Sequence, residues 1–195
     1  MTSALLVELP EQIVSARLVM RAPRAGDGPA INRAVVESFA ELHPWMPWAR
    51  TLPSITESEE FARDAQVKFL QREELPLLLF RAADGELVGA SGMHHIDWTV
   101  PRFEIGYWCR TSCVGSGYTS EAVAALCRFL FVAFGAKRVE VRTDERNERS
   151  ARVPERLGFR LEGTLRHDAL GNDGAPRNTR VYSVVSIDEL CDERP

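Results

Sequence analysis

The stretch RTSCVGSGYTSE at residues 110–121 carries the strongest chemical signal in the chain. Two glycines are followed by small hydroxyl residues and then by an apolar run with helical spacing. The first N–H groups of a helix have no partner within it, and glycine lets an anion approach them closely. The pattern predicts a phosphate-binding turn; the alternative is an ordinary tight turn near a helix cap. The predicted contacts are Gly115, Ser116, Gly117, Tyr118, Thr119 and Ser120.

Three phosphate ligands fit such a turn to different degrees. An ATP or GTP loop requires G-x-x-x-x-G-K-[ST], and no lysine follows these glycines. A dinucleotide loop requires G-x-G-x-x-G, which this turn approaches, and Glu140 or Asp144 supplies an acid on or just beyond the next strand. That fold is built of successive strand–helix–strand units, whereas antiparallel strands are predicted before this loop. The third ligand is coenzyme A, whose diphosphate would lie on the N–H groups.

Glu104 is the next candidate, in the segment RFEIGYWCR at residues 102–110. Alternation along a strand places Phe103, Ile105 and Tyr107 on the face opposite Glu104. A carboxylate at that position is either a solvent-facing strand residue or a general base that takes a proton from a substrate.

The adjacent pair His94 and His95 suggests a metal ligand or a second base. Neighbouring strand residues point to opposite faces, so the two imidazoles are not expected to chelate one ion together. We predict one histidine at the surface and one packed. No metal site is predicted, and the spacing of the four cysteines, without a C-x-x-C pair, does not predict a disulfide either.

The elements that position these residues follow from apolar periodicity. We predict a strand at 14–21, a helix near 27–40, an irregular Pro- and Trp-rich loop, and a helix at about 56–71. Thr56 is the predicted N-cap of that second helix, and Phe61, Ala65 and Phe69 form its predicted inner stripe. Three antiparallel strands follow, LPLLLFRA, GELVGASGMHHI and RFEIGYWCR, with ADGE as the first hairpin turn.

The pattern changes after the glycine turn. A helix with an apolar face is predicted to end at Gly135, followed by the strand KRVEVRT, a helix at about 148–157, and two closing strands joined by GNDGAP. The order β-α-α-β-β-β-α-β-α-β-β predicts a mixed-sheet α/β or α+β domain.

The composition favours an ordinary globular protein. The chain has 195 residues, 45% of them hydrophobic, and a net charge of -4, which disfavours a nucleic-acid binder. No stretch reaches the roughly 18 apolar residues of a membrane span, and the start lacks the features of a secretory signal. We therefore expect a cytoplasmic protein without membrane or nucleic-acid partners.

The ordered motifs resemble those of the GNAT superfamily of acetyl-CoA-dependent N-acetyltransferases, and within it the Rim-type protein N-terminal acetyltransferases. The motifs are SARLVMR, HPWMPWA, FEIGYWCR with VGSGYTSEAVAAL, NERSARVPERLGF, and EGTLRHDAL with RVYSVV. The resemblance covers nearly the whole chain. It implies a single domain at 1–195, with a mostly antiparallel sheet of about seven strands flanked by about four helices.

The resemblance also implies a reaction and its residues. Acetyl-CoA would be the co-substrate, and a primary amine would attack it directly, with Glu104 as base. Ser150 would be the proton donor to the coenzyme A sulfur or its hydrogen-bond partner; the alternative is an ordinary helix-cap serine. The acceptor would be a protein or peptide N-terminus, such as that of a ribosomal protein, and Trp45 and Trp48 would line its site. A homodimer is possible. Besides the glycine turn, the residues expected to bind the coenzyme are Trp108, Cys109, Arg110, Asn147 and Arg156.

Two positions depart from the family pattern. Ser112 stands where the family often has glutamine or arginine, so one side-chain contribution to the loop is missing. Pro154 lies inside a predicted helix, where a proline removes one hydrogen bond, so we expect a kink or a late helix start that affects Ser150.

Three other functions fit parts of the pattern. The enzyme could acetylate a small amine, such as a polyamine, an amino acid or an aminoglycoside. The domain could be a non-catalytic acyl-CoA-binding module, which would bind acetyl-CoA without turnover. A nicotinamide-dependent enzyme is the third, and titration with NADH would detect it.

Overall fold

A computed structural model describes residues 4–191. Its strands are β1 (Ile13–Val14), β2 (Leu18–Arg21), β3 (Leu75–Arg81), β4 (Leu87–Asp97), β5 (Arg102–Cys109), β6 (Arg138–Asp144), β7 (Arg160–Leu170) and β8 (Pro176–Val184). Its longer helices are α1 (Gly28–Leu42), α2 (Ile55–Gln71), α3 (Tyr118–Ala133) and α4 (Glu148–Arg156). The strands form one sheet in the order β1-β2-β3-β4-β5-β6-β8-β7, and β5 and β6 are its one parallel pair within the described residues.

This sheet confirms the predicted architecture, with eight strands in place of about seven. The predicted first strand at 14–21 is wrong in detail, because the chain turns at residues 15–17 and forms two short antiparallel strands. Ser15 N–H donates to the Leu18 carbonyl at 2.9 Å and closes this turn.

The start of α2 also differs from the prediction. Ser54, not Thr56, is the N-cap: its hydroxyl accepts from the Glu57 N–H at 3.1 Å, and the Glu57 carboxylate accepts from the Ser54 N–H at 2.7 Å. This reciprocal capping box satisfies two otherwise unpaired donors. The predicted inner stripe is wrong at Phe61, which is exposed, whereas Ala65 is buried.

The sheet separates two apolar cores. One face packs on α3 and α4, and its core includes Phe103 and Ile105 of β5. The other face of β3 and β4 packs on α1 and α2, and Trp108 of β5 packs against that second core. The predicted alternation of β5 is therefore confirmed, and the two faces of this strand lead to different surroundings.

The parallel strands β5 and β6 pair only over their first residues, Arg102–Glu104 with Arg138–Glu140. β5 continues to Cys109 and β6 to Asp144 without further pairing between them. A gap therefore opens in the sheet immediately after Glu104.

In the described part of the chain, no helix combines the length and the apolar character needed to cross a bilayer.

Candidate active site

The glycine turn presents a row of free backbone donors. Gly115 and Gly117 have φ values of 85° and 81°, in the left-handed region that favours glycine. Gly117 is the N-cap of α3 and, having no side chain, leaves the first helical N–H groups uncapped. Within residues 4–191, these N–H groups have no acceptor: Gly115, Gly117, Tyr118, Thr119 and Ser120. Such a row binds an anion.

Arg17 holds this turn from the neighbouring strand pair. Its guanidinium donates to the Ser116 carbonyl at 2.9 Å and to the Glu121 carboxylate at 2.7 Å. The same guanidinium lies 4.8 Å from the centroid of the Tyr118 ring. This cation–π contact ties Tyr118, one of the predicted phosphate-turn residues, to Arg17.

Glu121 anchors the turn from inside α3. Its carboxylate is buried and accepts hydrogen bonds from the Ser15 hydroxyl and the Arg17 backbone N–H, each at 2.7 Å. Burial opposes ionisation of Glu121, but the hydrogen bonds from Ser15 and Arg17 outweigh it and lower the pKa of its carboxyl. Glu121 is therefore a charged group that fixes the loop rather than a proton donor.

Glu121→Gln should destabilise the fold by about 2 kcal/mol at neutral pH, since charge-assisted hydrogen bonds typically contribute 1.5–3 kcal/mol. A carboxyl whose pKa is lowered by folding stabilises the folded state at pH values above its unfolded pKa, here 4.5. This contribution is lost as the pH falls through the folded-state pKa. The difference between variant and wild type should therefore shrink below pH 4.5. Denaturant unfolding measured across this range tests the prediction, with the exposed Glu60→Gln as control. A pH-independent difference would contradict it.

The segment before the turn is held by α1. The Glu37 carboxylate accepts from the Ser112 N–H at 2.9 Å and from the Arg110 guanidinium at 2.6 Å. Arg110 also donates to Glu86 at 2.6 Å. The side chain of Arg110, predicted to bind the coenzyme, is thus engaged in two ion pairs, and Ser112 is held through its backbone.

The gap between β5 and β6 is lined by main chain. The Arg110 N–H donates to the Val88 carbonyl of β4. Because the backbone N–H groups of an antiparallel strand point alternately to either side, every second N–H before Arg110 also points to β4. The N–H groups of Ile105, Tyr107 and Cys109 consequently point away from β4, into the gap. Donors fixed in this way can polarise a carbonyl placed there.

Glu104 lies at the point where the two strands separate. Its side chain is 17% exposed, and its carboxylate is 2.9 Å from His95 Nδ1 and 3.5 Å from Arg142 Nε. Arg142 in turn donates to Glu140 at 2.9 Å, so positive and negative groups alternate across this part of the site. The carboxylate of Glu104, the predicted base, is therefore partly shielded from solvent. Its neighbour His95 is 81% exposed and connects that carboxylate to solvent.

The prediction of one surface and one packed histidine is confirmed, but the expected opposite faces are corrected by a bulge. The register of β4 and β5 shifts between His94 and Asp97, and His95 has a φ of 45°. His95 therefore turns to Glu104, while His94 packs against Gly106 on the same face. Burial lowers the pKa of His94, which is half-buried, and His95 is exposed.

Ser150 and Asn147 lie on the other face of β5, at the start of α4. The Asn147 side chain caps this helix by accepting from the Ser150 N–H at 3.1 Å. The expected late start of α4 is therefore wrong, and Pro154 lies within the helix. The Ser150 hydroxyl donates to the Tyr107 hydroxyl at 3.3 Å.

Arg156 ends α4 close to the glycine turn. Its guanidinium is 3.5 Å from the hydroxyl of Ser120 in the first turn of α3. This places a second cation beside the free N–H groups, in the region where the sequence predicts a phosphate.

The tryptophans lie on the α1 side of the sheet. The rings of Trp48 and Trp108 have centroids 6.1 Å apart, and Trp48 is 52% exposed, whereas Trp45 is half-buried. The indole of Trp108, predicted to contact the coenzyme, thus lies with Trp48 and away from α4. Asn172, in the β7–β8 turn, donates to the Met46 carbonyl at 2.9 Å and holds this loop across the site.

The four cysteines are free. Burial raises the pKa of the Cys109 thiol and raises that of Cys127 to about 12. Cys127 is a core residue. A neutral thiol is a poor nucleophile, so these two side chains do not supply one.

Sequence reasoning missed several residues of this site. Arg17, Glu121 and Asn172 act over long chain separations, and no local pattern marks them. Tyr107 had a usable signal: Pro154 cannot donate to the carbonyl four residues earlier, which leaves Ser150 with an unpaired carbonyl that requires a donor from elsewhere.

Comparison with known proteins agrees with this geometry. Residues 17–160 match the acetyltransferase (GNAT) domain family. YdaF of Bacillus subtilis (strain 168), named as a candidate ribosomal N-acetyltransferase, is 27% identical over 175 residues, 88% of this chain and 93% of that protein. The ribosomal-protein-serine acetyltransferase of Escherichia coli (strain K12) is 30% identical over 132 residues, 66% and 73% of the two chains. The solved structure of RimL, a ribosomal L7/L12 alpha-N-protein acetyltransferase in complex with coenzyme A, has a TM-score of 0.83 at 24% identity, covering 91% of this chain and 99% of that one.

The split sheet, the free donor row and these matches define an acyltransferase. The chain belongs to the GNAT acetyltransferase family and is an acetyl-CoA-dependent N-acetyltransferase. The resemblance to the Rim-type enzymes is confirmed, because the relatives and structural neighbours include proteins of that type.

Proposed function

We propose that this enzyme acetylates the α-amine of a protein or peptide N-terminus. The observation that carries the proposal is the gap between β5 and β6, which joins two differently built faces. One face, beside α3 and α4, offers phosphate donors and Ser150. The other offers Glu104 and the aromatic pair of Trp48, which is exposed, and Trp108, which is partly buried.

The residues present fit acetyl-CoA. The free N–H groups of Gly115 and of Gly117 to Ser120, with Arg17 and Arg156 beside them, would hold the diphosphate, whereas the Ser116 N–H donates to the Cys113 carbonyl at 3.4 Å. The remaining predicted contacts to the coenzyme are the backbone of Trp108, Cys109 and Arg110 and the side chain of Asn147. When bound, acetyl-CoA supplies the thioester that the amine attacks.

The proposed roles divide the proton transfers between the two faces. Glu104 takes a proton from the attacking amine and returns it to solvent through His95. The N–H groups of Ile105 and Tyr107 donate to the thioester carbonyl as the C–N bond forms and the C–S bond breaks. The Ser150 hydroxyl gives its proton to the departing sulfur of coenzyme A and takes one back from solvent. No covalent enzyme intermediate is required, because positioning of both substrates supplies much of the rate.

The acceptor class follows from chemistry and from the relatives. An α-amine has a pKa of roughly 7.7–8.0, against roughly 10.4 for lysine, so it loses its proton more readily near neutral pH. The relatives named above include a ribosomal-protein-serine acetyltransferase. The exposed ring of Trp48 beside Trp108, on the same face of β5 as Glu104, suits a peptide side chain better than a small polycation, which would require a surplus of carboxylates.

An amine panel tests this proposal by the release of free thiol from acetyl-CoA. Peptides beginning with Ser, Ala or Met should give kcat/KM values at least about 100-fold above those of polyamines, amino acids and aminoglycosides. The matched control is each peptide with its N-terminus already acetylated, which should be inert. A preference for a small amine would replace the proposed acceptor. Binding of acetyl-CoA without turnover on any amine would support a non-catalytic module.

We also propose that residues 1–195 form a single domain that works in the cytoplasm as a homodimer. Light scattering of the purified chain would give its oligomeric state.

A further inference from the structure

Pro154 removes a helical hydrogen bond at the candidate proton donor. A helix pairs each carbonyl with the N–H four residues later, and proline has no N–H. The residue four before Pro154 is Ser150, whose carbonyl therefore has no helical donor. The structure supplies another: the Tyr107 hydroxyl, from β5, donates to this carbonyl at 2.8 Å.

The two hydroxyl groups then have defined roles. A phenol has one hydrogen to donate, and the hydrogen of Tyr107 is committed to the Ser150 carbonyl. The contact of 3.3 Å between the hydroxyls must accordingly use the hydrogen of Ser150. Burial raises the pKa of Tyr107, so the phenol stays protonated at working pH.

Tyr107 also links the two walls of the gap. Its backbone N–H points into the space between β5 and β6, while its side chain reaches α4 on the face of the sheet packed against α3. The donor to the thioester carbonyl and the donor to the sulfur are thus fixed by one residue.

We propose that Tyr107 is a positioning residue for Ser150: by donating to the Ser150 carbonyl it stands in for the N–H that Pro154 lacks and so holds the helical turn that carries the serine hydroxyl. This inference rests on the role proposed above for Ser150. It predicts that the effect of removing the phenol hydroxyl depends on the residue at position 154.

A double-mutant cycle tests the dependence. Tyr107→Phe should lower kcat about 10-fold with Pro154 in place, with the KM for acetyl-CoA within about 3-fold of wild type. In the Pro154→Ala background the new N–H pairs with the Ser150 carbonyl, so Tyr107→Phe should cost no more than about 2-fold in kcat. Equal losses in both backgrounds would overturn the proposal.

Two further measurements separate the possible failures. Melting temperatures of the four proteins should show the same non-additivity, and they require no turnover. Non-additive stability with additive kcat would show that Tyr107 supports the helix alone, which overturns a positioning role. In Ser150→Ala, Tyr107→Phe should lower kcat less than about 2-fold further. If Ser150→Ala itself leaves kcat unchanged, the proposed role of Ser150 fails and the inference fails with it, although acetyl transfer by the enzyme stands.

Discussion

Replacing Glu104 with glutamine should lower kcat about 100-fold at neutral pH, in the range that a positioned general base contributes. Glutamine has the same size and can still accept from His95 and Arg142, which lie 2.9 Å and 3.5 Å from the carboxylate. The fold should therefore be preserved, and what is lost is the group that takes the proton of the amine. Steady-state thiol release with a saturating peptide acceptor measures the effect.

The pH dependence of that loss is diagnostic. Below the α-amine pKa of roughly 7.7–8.0 the acceptor is mainly an ammonium ion that must be deprotonated, and above it the neutral amine needs less help. The deficit of Glu104→Gln should thus be largest on the acidic side of the profile. Glu60→Gln, the same change at an exposed residue of α2, should behave as wild type. A profile of Glu104→Gln parallel to wild type would remove Glu104 from the mechanism.

The second large effect is expected at the glycine turn. Gly115→Asp should raise both the KM and the dissociation constant of acetyl-CoA about 100-fold, because two unit charges about 6 Å apart interact by nearly 3 kcal/mol at an effective dielectric constant of 20. A side chain has room at this position, since no atom beyond the neighbouring residues lies within 4 Å of where a Cβ on residue 115 would be. Calorimetry with acetyl-CoA and steady-state kinetics measure the two constants.

Gly115→Asn is the matched control for this charge. Asparagine has nearly the shape of aspartate, and both residues tolerate the left-handed conformation that Gly115 adopts at φ 85°. We expect its affinity loss to stay below about 10-fold, and only the aspartate effect to weaken as salt screens the charge. If the two variants lost affinity equally, a geometric defect would explain both, and the anion site would lie elsewhere.

Local patterns in the sequence determined the elements and their chemistry. Alternation in β5 placed Glu104 opposite Phe103 and Ile105, because side chains of a strand alternate in any fold. The glycines before α3 predicted free N–H groups, because those donors are unpaired at every helix start. The resemblance then identified the family, which the match over residues 17–160 establishes.

The tertiary structure decided how these elements meet. Arg17 reaches Glu121 across more than 100 residues, and Asn172 reaches the loop before Trp48; such contacts depend on packing that no local spacing encodes. The bulge at His95 placed both histidines on the face of Glu104, where regular alternation predicts opposite faces, because an irregular residue interrupts the alternation. The sequence shows that Pro154 leaves the Ser150 carbonyl without a helical donor. Which group donates to it instead depends on the neighbours in the folded protein, and here it is the Tyr107 hydroxyl.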